Sequence, residues 1–162
     1  MSFASTAKSS VQTFFKPHQY QKDAIDWVVG RDAAGLFLPP GMGKTAILLK
    51  AFLAKRKEGK IKKMLVIAPI RVCHLVWPAE IDKWSDFKHL DVSVVHGHKK
   101  GQALAKDADI YCINPDGLQW LFTVGRFEPT EEWMLVVDES SQFKNSTSQR
   151  FKYLKKRADK FG

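Results

Sequence analysis

Gly41-Met42-Gly43-Lys44-Thr45 and, far downstream, Asp138-Glu139 are residue types that can hold a polyphosphate with its metal ion. The glycines let successive backbone N–H groups converge on an anion with no Cβ in the way. Lys44 brings a point charge to the β- and γ-phosphates, and the Thr45 hydroxyl is a ligand for Mg²⁺. Mg²⁺ needs a hard oxygen opposite the phosphates, which Asp138 supplies from the end of an apolar strand. Glu139 is the candidate to take a proton from an attacking water. Taken singly, each feature has a plain reading: a glycine-rich turn capping an ordinary helix, or two acids at a solvated strand end. Their joint presence favours the phosphate chemistry. The strict pattern G-x-x-x-x-G-K-[ST] asks for glycine where this chain has Leu38.

The flanking elements have to bring these residues together. Leu36-Phe37-Leu38 reads as a short buried strand, and a helix opens at Lys44-Thr45 and runs to Arg56. Lys55-Arg56-Lys57 suits the helix C-terminus and Gly59 stops it. Met64 to Ala68 is a continuous apolar run, as expected of a central parallel strand, and Pro69 ends it. Val72, Val76, Ala79, Ile81 and Trp84 follow a helical pattern with a kink or break expected at Pro78. Further strands are predicted at Val92–Val95, Asp109–Ile113 and Trp133–Val137, with short helices over Gln102–Ala105 and Leu118–Phe122. A basic helix from Thr147 to Lys160, with Phe151 and Leu154 on one face, closes the chain. Before the phosphate loop, a helix from just after Pro17 to Gly30 carries Tyr20, Ala24, Trp27 and Val28 at helical spacing. The amides of Gln19 and Gln21 at its start are surplus to packing and suit a base edge. Strands alternating with helices predict an α/β fold: a central, mainly parallel sheet wrapped by helices. Residues 1–13 read as a flexible tail and 14–162 as one domain.

The balance of 26 Lys+Arg against 17 Asp+Glu gives a net charge of +9, which favours an anionic partner such as nucleic acid or nucleotide. The basic runs at 55–63 and 150–160 read either as solvated helix faces or as a phosphate track. Cys73 and Cys112, distant in sequence and set in apolar segments, read as buried reduced thiols rather than a disulfide scaffold or zinc site. With no membrane-length apolar run and no signal-peptide core, a cytoplasmic protein with no membrane partner is expected. His96 and His98 read as loop residues, and Trp77, Trp84, Trp120 and Trp133 as core packing.

Taken together, these blocks resemble the first RecA-like domain of a superfamily-two helicase or translocase on the Swi/Snf-like branch, closest to helicase-like ATPases of bacteriophages. The match runs through Pro17-His18-Gln19-Tyr20-Gln21, Pro39 to Thr45, Ala68 to Val72 with Trp77-Pro78-Ala79-Glu80 and Trp84, Asp109 to Asn114, and Val137 to Asn145. Helicase-type loops commonly lack the glycine replaced here by Leu38. The resemblance implies a P-loop NTPase fold binding ATP and Mg²⁺. It assigns Gln21, with Gln19 as second choice, to adenine; Pro40, Gly41, Met42, Gly43, Lys44, Thr45 and Ala46 to the nucleotide; and Thr45 and Asp138 to the metal. Lys44 and Glu139 would act in catalysis, and Arg71, Asn114 and Lys144 would touch nucleic acid, DNA ahead of RNA. Ser140-Ser141 departs from the Ala-His of many relatives, which bears on how nucleotide state is linked to nucleic-acid grip. The chain ends at Gly162 where the family continues into a second RecA-like domain carrying an arginine for phosphoryl transfer. The resemblance therefore implies nucleotide binding ahead of autonomous turnover. The alternatives are a non-catalytic nucleic-acid- or protein-binding module, and a P-loop kinase, which the Gln21 block and the paired acids disfavour.

Overall fold

A computed structural model describes residues 13–31, 42–138 and 152–162. Several sequence expectations lie outside these residues: the strand Leu36–Leu38, Pro40, Gly41, Glu139, Lys144 and the start of the closing helix. Among the described residues, β1 (Lys63–Ile67), β2 (Val92–Val94), β3 (Ile110–Ile113) and β4 (Trp133–Val137) form a sheet of order β2-β3-β1-β4. Every pairing is parallel, with Ile67 level with both Ile113 and Val137.

The period-two alternation of strands sorts the core into two layers. Met64 and Val66 of β1 face a layer with α1 (Gln19–Val29), α2 (Lys44–Lys57) and α3 (Trp77–Lys83). Leu65 and Ile67 face the other, with α4 (Lys100–Ala105), α5 (Leu118–Phe122) and α6 (Lys152–Lys155). Helices on both faces of a parallel sheet make the three-layer α/β fold. They also explain why β1 and β3 read as unbroken apolar runs.

The structure corrects some details. The buried face of α1 is Gln21, Ile25 and Val28, while Tyr20 and Trp27 are exposed. Burying Gln21 is tolerated because both ends of its amide are hydrogen-bonded. Trp27 instead lies under the Arg31 guanidinium, 3.3 Å from the ring centroid. Pro78 makes no break: it sits in the first turn of α3, where its missing N–H costs nothing. The irregularity comes just upstream, as a π-turn over Val72–Val76 in which the Trp77 N–H donates to the Val72 carbonyl. The closing segment is not one helix to Lys160. α6 ends at Lys155 and a 3₁₀ turn covers Ala158–Lys160, which lets Phe161 pack on Phe127 and the Gly162 N–H reach the Trp133 carbonyl at 2.9 Å.

Cys73 and Cys112 are both buried and free, as expected, yet they are neighbours in space. The neighbouring Cys73 thiol, burial and the nearby Asp138 charge together hold the Cys112 thiol well above its usual range.

Candidate functional site

β4 delivers Asp138 to the C-terminal rim of the sheet. The Asp138 N–H donates to the Ile67 carbonyl at 2.8 Å, so the ladder fixes its backbone one residue beyond the strand. On the next pair, the Ala68 N–H donates to the Ile113 carbonyl at 3.0 Å, which leaves Asp138, Ala68 and Asn114 level along one rim.

Lys44 approaches that rim from the first turn of α2. Its Nζ lies 3.8 Å from Asp138 Oδ1, and both side chains keep some access to solvent. The other carboxylate oxygen, Oδ2, accepts the indole N–H of buried Trp77 at 3.4 Å. Gly43 precedes the helix at φ +74, ψ +31, the left-handed region that glycine enters without cost. A Cβ on Gly43 would also stand 2.5 Å from Gln21 Nε2, so this position excludes side chains for a second reason. Among the described residues no side chain caps α2, so its first-turn N–H groups, at Lys44, Thr45 and Ala46, gain no partner from a cap there.

α1 holds the residue just before Gly43. The Met42 carbonyl accepts from Gln21 Nε2 at 3.2 Å and from the Tyr20 hydroxyl at 3.1 Å. Gln21 Oε1 in turn accepts the His18 N–H at 2.8 Å, an arrangement that also satisfies the helix start. Gln21 thus joins Met42, Gly43, Lys44, Thr45, Ala46 and Asp138 at one place. Gln19 does not: it is exposed and donates to Asp23 at 3.0 Å on the outer face of α1.

Arg71 stands exposed at the start of the π-turn that follows β1, with no ion-pair partner among the described residues. Asn114 begins the 3₁₀ turn Pro115–Gly117 after β3. Both therefore sit on the site's side of the sheet. The basic run at 55–63 sits at the opposite rim and is largely committed within the chain. Lys55 donates to the Arg31 carbonyl, and Arg56 pairs with Asp109, Lys60 with Glu58, Lys62 with Glu132 and Lys63 with Asp107. Burial pulls the Lys63 amine down, but Asp107 and Tyr111 outweigh it and raise the pKa overall. The His74 and His96 rings meet edge-on at 6.0 Å, and no cluster of three metal-binding side chains occurs among the described residues.

The donor set fits a magnesium nucleotide. Hard oxygens at Thr45 and Asp138, a lysine between helix terminus and carboxylate, and uncapped N–H groups behind a left-handed glycine are what a polyphosphate with Mg²⁺ requires. Two participants escaped the sequence reading. Tyr20 was legible only as an apolar helix position. Trp77 read as core, and nothing in its spacing foretells the π-turn that aims its indole.

The SNF2-related domain family model matches residues 20–160. The chain belongs to the SNF2-related domain family. This SNF2-related domain is 30% identical over 138 residues to the putative protein p41 of Acyrthosiphon pisum secondary endosymbiont phage 1, covering 81% of this chain and 29% of that one. Among solved structures it resembles the Sulfolobus solfataricus SWI2/SNF2 ATPase core in complex with dsDNA, at TM-score 0.67 and 24% identity over 90% of this chain and 31% of that one. The Sulfolobus solfataricus SWI2/SNF2 ATPase core domain matches at TM-score 0.65 and 24% identity, over 91% and 32%. A nuclease-deletion mutant of the Type ISP restriction-modification enzyme LlaGI, in complex with a DNA substrate mimic, follows at 0.52 and 18%, over 84% and 16%. These likenesses establish the RecA-like fold of an SNF2 ATPase core. The SNF2-related domain spans less than a third of the length of each of these relatives.

Proposed function

We propose that this SNF2-related domain is the ATP-binding half of a DNA-dependent motor. The observation that carries the reading is the approach of Lys44 Nζ to Asp138 Oδ1 across the loop, 3.8 Å apart. In the proposed site, the N–H groups of Gly43 to Ala46 and the Lys44 ammonium bind the phosphates, with Pro40 and Gly41 completing the loop. Thr45 and Asp138 hold Mg²⁺ and Gln21 reads the adenine. Magnesium, when bound, neutralises charge on the β- and γ-phosphates. Glu139 takes the proton of the attacking water, and its position next to Asp138 in the chain supports that role. Turnover at full rate requires a second RecA-like domain, in cis or in trans, to supply an arginine, worth about 10³-fold or more.

DNA is the proposed track, held by Arg71 and Asn114 on the rim, and the family resemblance adds Lys144 to the contacts. Support comes from the two relatives whose structures contain DNA or a DNA mimic. Two free, buried cysteines and the likeness to a phage protein suit a host cytoplasm. The test is Mg²⁺-dependent binding of a fluorescent ATP analogue, together with the ATPase rate with and without duplex DNA. Binding weakened about 10-fold to 100-fold by Lys44→Ala, with turnover reduced by Glu139→Gln, is the expected result. Full binding by Lys44→Ala would overturn the reading.

A further inference from the structure

We infer that Trp77 is a positioning residue for Asp138, setting the orientation in which its carboxylate faces the nucleotide. This rests on the reading of Asp138 as a magnesium ligand. Trp77 is fully buried, and its indole N–H is the one polar group on the side chain. A buried donor needs an acceptor, and the acceptor here is Asp138 Oδ2 at 3.4 Å. That length is long for N–H···O, so the contact orients more than it binds. With Oδ2 held on the indole, Oδ1 is left toward Lys44.

The π-turn is what delivers the indole. Each residue of an α-helix turns the chain by about 100°, so the extra residue in the Val72–Val76 turn rotates everything after it by about that angle. Packing alone does not demand this geometry, because phenylalanine can fill the apolar part of the same space without a donor. Groups that orient metal ligands typically change metal affinity about 10-fold to 100-fold when removed.

The experiment is a Mg²⁺ titration of fluorescent ATP-analogue binding by wild type, Trp77→Phe and Asp138→Asn. Trp77→Phe is expected to keep the magnesium-free affinity within about twofold while raising the Mg²⁺ concentration at half-effect about tenfold. A half-effect concentration equal to wild type, with Asp138→Asn impaired, would overturn the role of Trp77 alone. An Asp138→Asn variant with wild-type Mg²⁺ dependence would remove the metal reading and this inference with it. A second measurement does not need the phenylalanine variant. In ¹H–¹⁵N spectra of the nucleotide-free protein, the Trp77 indole resonance should move on Asp138→Asn substitution. An unmoved indole signal would overturn the contact.

Discussion

Lys44 Nζ lies 3.8 Å from Asp138 Oδ1, although one residue opens α2 and the other closes β4, elements that belong to different layers of the fold. A partly exposed pair at this distance adds well under about 1 kcal/mol to folding. Lys44→Ala is therefore expected to leave the melting temperature nearly unchanged. It should weaken binding of an Mg²⁺–ATP analogue about 10-fold to 100-fold, the range for losing a charge-assisted hydrogen bond of about 1.5–3 kcal/mol. Fluorescence titration beside a thermal melt checks both halves.

Gly43→Ala meets two obstacles. The left-handed backbone costs alanine about 1–2 kcal/mol. The new Cβ also displaces Gln21 Nε2 from Met42. In a Gln21→Ala background the second obstacle is gone and only the first remains. Urea denaturation of the four proteins in this cycle should give a smaller penalty for Gly43→Ala when Gln21 is absent. Equal penalties would show that the amide does not feel the glycine.

Asp86 ties the segment before α1 to the body of the domain. Its carboxylate accepts the Phe15 N–H at 2.9 Å and the Lys50 ammonium at 2.8 Å. Burial alone would raise its pKa, but these bonds outweigh it and hold the group below the ordinary 3.8. The unfolded chain therefore binds the proton more tightly than the folded one. The stability Asp86 contributes is present above pH 3.8 and is lost as pH falls through the lower folded-state value. Asp86→Asn should lower the melting temperature at neutral pH and flatten the acid side of the stability profile, as thermal melts from pH 2 to 7 would register.

The paired thiols of Cys73 and Cys112 are expected to resist alkylation in the native state. Both are buried, and a raised pKa at Cys112 leaves little thiolate to react near neutrality. Iodoacetamide labelling followed by mass spectrometry should be slow in buffer and rapid in urea.

Nucleic-acid binding should follow the rim and ignore the basic run at the other end of the sheet. Arg71→Ala is expected to weaken duplex binding and lower the slope of log K against log salt by about one. Lys60→Gln with Lys62→Gln should leave affinity within about twofold, because these amines precede β1 at the rim opposite Arg71 and Asn114. Fluorescence anisotropy across a salt series separates the two cases.

Strand and helix periods made the layers legible, because each of Met64 to Ile67 buries its side chain wherever the pleat turns it. The loop glycines and Asp138 were legible because their chemistry is local: a left-handed turn, then an acid at a strand end. What stayed hidden was set by contacts between distant segments. Gln21 is buried where apolar spacing pointed to Tyr20 and Trp27, since hydrogen bonds to His18 and Met42 offset the cost of desolvating its amide. Trp77 finds Asp138 through a π-turn that no hydrophobic period encodes. The proximity of Cys73 to Cys112 likewise arises from the sheet and the π-turn, not from their spacing.

Gln21 enters the proposed site with its amide half committed, Oε1 to a peptide N–H and Nε2 to a peptide carbonyl. One lone pair and one proton remain, a combination that matches the N6–H and N7 edge of adenine and opposes O6 of guanine. Because the chain's own backbone fixes which end of the amide points where, the proposed adenine-reading role of Gln21 would carry a preference for adenine over guanine set before any nucleotide binds.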